Sequence, residues 1–236
     1  MKRTFLLLGI SGLFCLAIAQ QDRSDIRSYF NEVALGAEFG DTEAVIRKWS
    51  TDMVIEPRGY WPAYLSQELN QIIAELNALI EGVQVRVADS LEAPNYIIFI
   101  GDPNIYADSI EPSAQPYVQA NYGMFWLYWE NDVIYKGTMY VDPVRADTEG
   151  WQKHLLREEL TQSLGLMNDS DKHKDSMFFQ GRSFTTYFSG LDKELIRMLY
   201  HPDIRPGMDS QAAGQVIEEL LKPKCFLIKY FKSSRN

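Results

Sequence analysis

Between Pro62 and Glu81 the apolar residues Leu65, Leu69, Ile72, Ile73, Leu76, Leu79 and Ile80 recur at the three- and four-residue spacing of one helical face. Pro62 suits a first helical turn, where its missing N–H costs nothing, and Gly82 suits the stop. A long amphipathic helix of this kind needs an apolar surface to back. The neighbouring segments read as strands. Val83, Val85 and Val87 alternate with polar residues as a half-buried strand does, whereas Tyr96 to Ile100 is a continuous apolar run, the pattern of a central strand. Gly123 to Trp129 and Val133 to Asp142 flank Glu130-Asn131-Asp132, which predicts a hairpin. Upstream, Ile26, Phe30, Val33, Ala34 and Phe39 predict a helix ended by Gly40, and Ile46 to Pro57 reads as a strand closed by Pro57-Arg58-Gly59. Downstream, a helix is predicted from Glu149 to Leu164, stopped at Gly165. The last helix legible in the sequence begins at Ser189, with Asp192 reaching back to complete a capping box. The order of elements implies an α+β fold with a mixed sheet.

The chain opens on Lys2 and Arg3, an apolar run from Phe5 to Ile18, and Ala17-Ile18-Ala19 before Gln20, the order of a secretory signal. Residues 1–19 are thus expected to be a signal peptide, cleaved near Ala19, and residues 20–236 a single domain of an exported protein, periplasmic or extracellular. Leu13-Phe14 ahead of Cys15 puts a bulky ring where a lipoprotein signal wants a small residue, which argues against lipid attachment. No later stretch approaches the roughly 20 apolar residues of a membrane span. Without Lys2 and Arg3, 21 basic residues face 32 acidic ones, so nucleic acid and anionic membranes are poor partners. Cys225 is then the only cysteine, and stability has to come from a packed core rather than an internal disulfide.

Chemistry is best sought in the stretch from Trp151 to Ser170, which takes in most of the helix predicted from Glu149. Leu156, Leu160 and Leu164 share one face, while His154, Glu158, Glu159 and Gln162 point broadly the other way, the layout of a helix that buries leucines and wets its charges. Trp151 and Leu155 also lie on that polar side, however, so it reads as the wall of a cleft.

The spacing Glu158-Glu159-x-x-Gln162-x-x-Gly165-x-x-Asn168 resembles the zincin pattern H-E-x-x-H-x-x-G-x-x-H, with only the glutamate at Glu159 and the glycine at Gly165 retained. Tyr29-Phe30-x-x-Val-Ala-Leu-Gly, the run Arg157 to Ser170, and Leu191 to Met208 together resemble a bacterial exported family known as a domain of unknown function, number twenty-nine twenty-seven, a distant metallopeptidase-like relative. What the resemblance implies is a zincin-like mixed sheet with a long backing helix, an active-site-type helix and a C-terminal helical part. Glu159 takes the place of the catalytic base, and Glu158, Gln162, Gly165, Asn168 and Asp169 form the degenerate motif or cleft. Side-chain amides are weak zinc ligands, so zinc is not expected and neither is another cofactor. The expected role is binding of a protein or peptide ligand. The alternative is a hydrolase with Glu159 as general base and a nonstandard metal site of Glu158, Asp169 and His173, which would suit Mn²⁺ or Ca²⁺ better than zinc. A structural envelope protein is a third class.

Other features carry less. Ser163 and Ser183 lie in no G-x-S-x-G motif, Cys225 stands near lysines but no histidine, and His201 ends a helix where a cation suits the dipole. His154, one turn before Glu158, reads as a structural histidine placed to share a salt bridge or hydrogen bond with it, a weak contact if exposed. Tyr122, Phe125, Trp126, Tyr128, Trp129, Tyr135 and Tyr140 are expected in the core or a cleft wall. The basic, aromatic tail from Lys222 to Arg235 reads as a docked strand or a contact for an acidic partner.

Overall fold

A computed structural model describes residues 24–37 and 42–222. The expected signal peptide, Cys15, Phe39, Gly40, Cys225 and nearly all of the basic tail lie outside them. The first helix, α1, covers residues 24–34. It is followed by β1 (Lys48–Trp49), β2 (Met53–Gly59), α2 (Ala63–Asn77), β3 (Val85–Val87), β4 (Tyr96–Ile100) and α3 (Pro103–Ser109). A 3-10 turn over Pro112–Ala114 leads to β5 (Gly123–Glu130), β6 (Val133–Val141), α4 (Glu149–Gln162), α5 (Gly190–Leu199) and α6 (Ser210–Leu220). The fold is α+β, and its sheet is mixed and mostly parallel.

β3, β2, β4 and β6 pair in that order, all parallel. β5 runs antiparallel along the other side of β6, while β1 pairs with the beginning of β6 on the side β4 occupies further on. Among the described residues β5 is therefore an edge. The hairpin that creates it turns at Asn131 and Asp132 with φ of 49° and 62°, the left-handed pair a two-residue turn requires.

The predicted strand at Ile46–Pro57 is in fact two, broken at residues 50–52, and the second passes through Pro57 to Gly59. A proline is tolerated here for a visible reason. The Ile55 carbonyl faces β3, accepting from the Ala88 amide, so by the strand period Pro57 turns its missing N–H the same way, and β3 has ended by then. α2 stops at Asn77, before the expected Gly82, because the Asn77 side chain exchanges two hydrogen bonds of 2.8 Å with the Val85 backbone.

The main core fills the sheet face covered by α1, α2, α4 and α5, with Tyr96, Ile98, Ile100, Met139 and Val141 pointing into it. Phe99 and Tyr140 point the opposite way, into a smaller core closed by Tyr106, Ala107, Ala114 and Val118. The unbroken apolar run of β4 is thus explained by α3, which the sequence reading lacks. It also lacks α6, capped by Asp209, whose side chain accepts from the amides of Gln211 and Ala212. α5 begins as expected, with Ser189 and Asp192 forming the capping box.

Candidate functional site

α4 is the element on which the site is built, and the sheet face, α2 and the segment after it hold it fast. Its end is tied by Trp49 Nε1 donating to the Ser163 carbonyl at 2.8 Å and Tyr200 Oη donating to the Leu164 carbonyl at 2.9 Å. Gly165 then adopts φ +118°, and a Cβ there would lie 2.0 Å from the Arg47 carbonyl oxygen. Only glycine allows that approach.

Beyond its first turn the helix keeps its charges largely out of water. Arg157 is fully buried, its Nε and Nη2 donating to Glu68 Oε1 at 3.0 and 2.7 Å and its Nη1 to Glu75 Oε2 at 2.7 Å, with Phe188 under the guanidinium at 4.8 Å. Glu68 and Glu75, seven residues apart on one face of α2, were the available signal: two carboxylates inside an otherwise apolar stripe call for a cation.

A cleft of about 350 Å³ opens between α4 and the beginning of β5. Its floor carries His154, Glu158, Glu159 and Gln162 of α4, with Asp169; Tyr122 to Phe125 form one rim and Gln180 to Ser183 the other. Trp151 closes one end, with the Tyr122 ring 4.8 Å away. Glu159 reaches under the start of the edge strand, where a Cβ on Gly123 would stand 2.9 Å from Oε1. The Asp142 amide donates to the Tyr122 carbonyl, so Tyr122 and Met124 turn their backbone groups to β6, and Gly123 and Phe125 turn theirs to the open side.

His154 meets Glu158 as its spacing suggests, and does so from a buried position. Its side chain is 3% exposed, and Nε2 lies 3.3 Å from Glu158 Oε2. Nδ1 faces the Thr185 carbonyl at 2.8 Å. Both neighbours only accept, so both are satisfied at once by the doubly protonated ring. Burial opposes that charge, but the contacts with Glu158 and Thr185 and the field of Asp169 outweigh it, and the imidazole pKa is raised.

Glu158, Glu159, Gln162 and Asp169 are brought together. Asn168 and His173 are not. The Asn168 amide donates to the Glu32 and Leu35 carbonyls at 3.2 and 2.7 Å and so caps α1, while His173 packs edge-on against Tyr29 with ring centroids 4.5 Å apart. Gln162 Nε2 donates to Asp169 Oδ1 at 2.6 Å. Of the three positions where the zincin pattern has histidines, one amide is committed to a carboxylate and another points at a helix end, so the donor set does not fit zinc. Among the described residues no group of three or more His, Cys, Asp or Glu side chains is placed to hold a metal ion, and the set Glu158, Asp169 and His173 is not assembled. The expected aromatic cluster divides: Tyr140 is in the core, Tyr122 and Phe125 line the cleft, and Tyr135 is exposed.

One cleft residue was missed in the sequence, where it stands in an aperiodic stretch. Arg182 lays its guanidinium 3.7 Å from the centre of the Trp151 ring. No helix among the described residues is long and apolar enough to cross a membrane. No curated protein matches the chain. The family model described as "Protein of unknown function (DUF2927)" matches residues 23–219, as the motifs around Tyr29, Arg157 and Leu191 led one to expect, and the chain belongs to that family.

Proposed function

We propose that this is an exported, zincin-like protein that has given up ordinary zinc proteolysis and works by binding an extended peptide in the cleft between α4 and β5. The observation that carries the reading is the open edge of β5. Among the described residues no strand pairs its outer side, and Gly123 and Phe125 turn their backbone groups that way beside the floor formed by Glu158, Glu159 and Gln162. An extended peptide satisfies such groups by strand addition. The mixed sheet with its antiparallel edge, the backing helix α2 and the motif-bearing helix α4 support the zincin-like reading. Loss of zinc function is supported by the commitment of Gln162 to Asp169 and of Asn168 to α1.

The test is retention of mixed-sequence hexapeptides by the full mature protein in equilibrium dialysis. Retained peptides should lose affinity at least about tenfold when alternate backbone nitrogens are methylated, because each methyl removes a strand donor. Glu159→Gln should change retention by no more than about twofold. In the hydrolase alternative the same substitution abolishes turnover of those peptides, and cleavage products in the wild-type dialysate that vanish in Glu159→Gln would overturn the binding reading.

A further inference from the structure

Within the cleft the carboxylates are already engaged. Glu158 faces His154, Asp169 accepts from Gln162, and Glu159 also has a contact of its own. The cation at the rim differs. Arg182 is exposed, and among the described residues it makes ring contacts alone, over Trp151 at 3.7 Å and Phe184 at 5.2 Å, with no carboxylate partner. Stacking occupies the face of a guanidinium and leaves its in-plane N–H donors available, while the ring beneath removes much of the freedom an exposed arginine otherwise has. The result is a pre-oriented fork for a planar anion, set in a chain whose net charge is −9.

Strand geometry says which anion fits. An antiparallel strand added to β5 runs against it, so the ligand's C-terminus arrives beside Gly123, where β5 begins. That end of the cleft is walled by Ala120 and Asn121 ahead of the strand and by Gln180 to Ser183 opposite. Tyr122 there touches Trp151, the ring on which Arg182 lies. Resting on the peptide-binding reading above, we propose that Arg182 is the specificity-determining anchor for the C-terminal carboxylate of the peptide, so that the cleft selects free chain ends over internal segments.

The experiment uses two mixed-sequence hexapeptide pools, identical except that one ends in a free carboxylate and the other in an amide, dialysed against the full mature protein and against Arg182→Gln and Arg182→Lys. The wild type should retain the acid pool about tenfold better than the amide pool. Arg182→Gln should remove that preference while lowering the thermal unfolding midpoint by no more than a few degrees, the loss of one exposed cation–π contact. Arg182→Lys should keep part of the preference, having the charge without the fork. Equal retention of both pools by the wild type, or a preference that survives Arg182→Gln, overturns the anchor and leaves peptide binding standing. Amide peptides retained through internal Asp or Glu overturn the terminal-carboxylate assignment. Retention of neither pool overturns peptide binding itself, and the anchor with it.

Discussion

Removing the Arg157 side chain should be among the most damaging single changes in this molecule, and the structure says why. Arg157 has no exposed surface, and Glu68, which takes two of its donors, is 7% exposed at the side chain. Glu75, which takes the third, is 30% exposed and can rehydrate. In Arg157→Ala the Glu68 carboxylate is left buried without a counter-charge, an arrangement that typically costs about 3–5 kcal/mol. For a domain of this size that is roughly 6–20 °C in melting temperature. Glu75→Ala removes only the half-wet partner and should cost about 1 kcal/mol or less. Replacing both members of the buried pair, Arg157→Leu with Glu68→Leu, should recover much of the loss, since no charge is stranded. Urea denaturation followed by tryptophan fluorescence measures all three. A deficit equal to that of Glu75→Ala, or a double variant as unstable as the sum of its singles, would refute the reasoning.

Gly165→Ala should cost on the order of 3 kcal/mol or more, since the new methyl meets the Arg47 carbonyl at 2.0 Å and the backbone must leave φ +118°; chemical denaturation reads it directly. His154 has a folded pKa raised above its ordinary 6.5, so the stability of the wild type relative to Glu158→Gln is fully present below that value and is lost as the pH rises through the folded pKa. Proton NMR of the imidazole should show its titration midpoint fall in Glu158→Gln. Lys48 is the opposite case: burial pushes its ammonium down to about 8, although Nζ donates to the Leu199 carbonyl at 2.9 Å. The folded state therefore sheds this proton before the unfolded chain does. Relative to Lys48→Met the wild type should gain stability as the pH climbs from about 8 to 10.5, with no change below, in denaturation curves taken across that range.

Features written in a few adjacent residues were legible in advance. Ser189 and Asp192 announce their capping box, Asn131-Asp132 their turn, and Gly165 its helix stop, because each interaction closes within one turn of chain. What was not legible depends on partners far away in sequence. Pro57 reads as a terminator unless it is known that β3 ends two residues earlier on that side of β2. α3 is short and presents too few apolar residues for a periodic signal, yet it accounts for the doubly buried β4. Spacing alone assigns Asn168 to the ligand position, whereas the C-terminal carbonyls of α1 draw that amide away and leave Asp169 to face the cleft. Arg157 looks like one more surface charge until α2 brings up Glu68 and Glu75. Arg182 has no pattern at all, and only the fold lays it on Trp151.

The central claim, a zincin-like cleft that no longer depends on a metal, is tested most directly by elemental analysis of the untagged protein purified from its native compartment, beside its Glu158→Ala and Asp169→Ala variants. The account predicts far less than one metal ion per chain in all three, whereas stoichiometric metal in the wild type that disappears in either variant would contradict it.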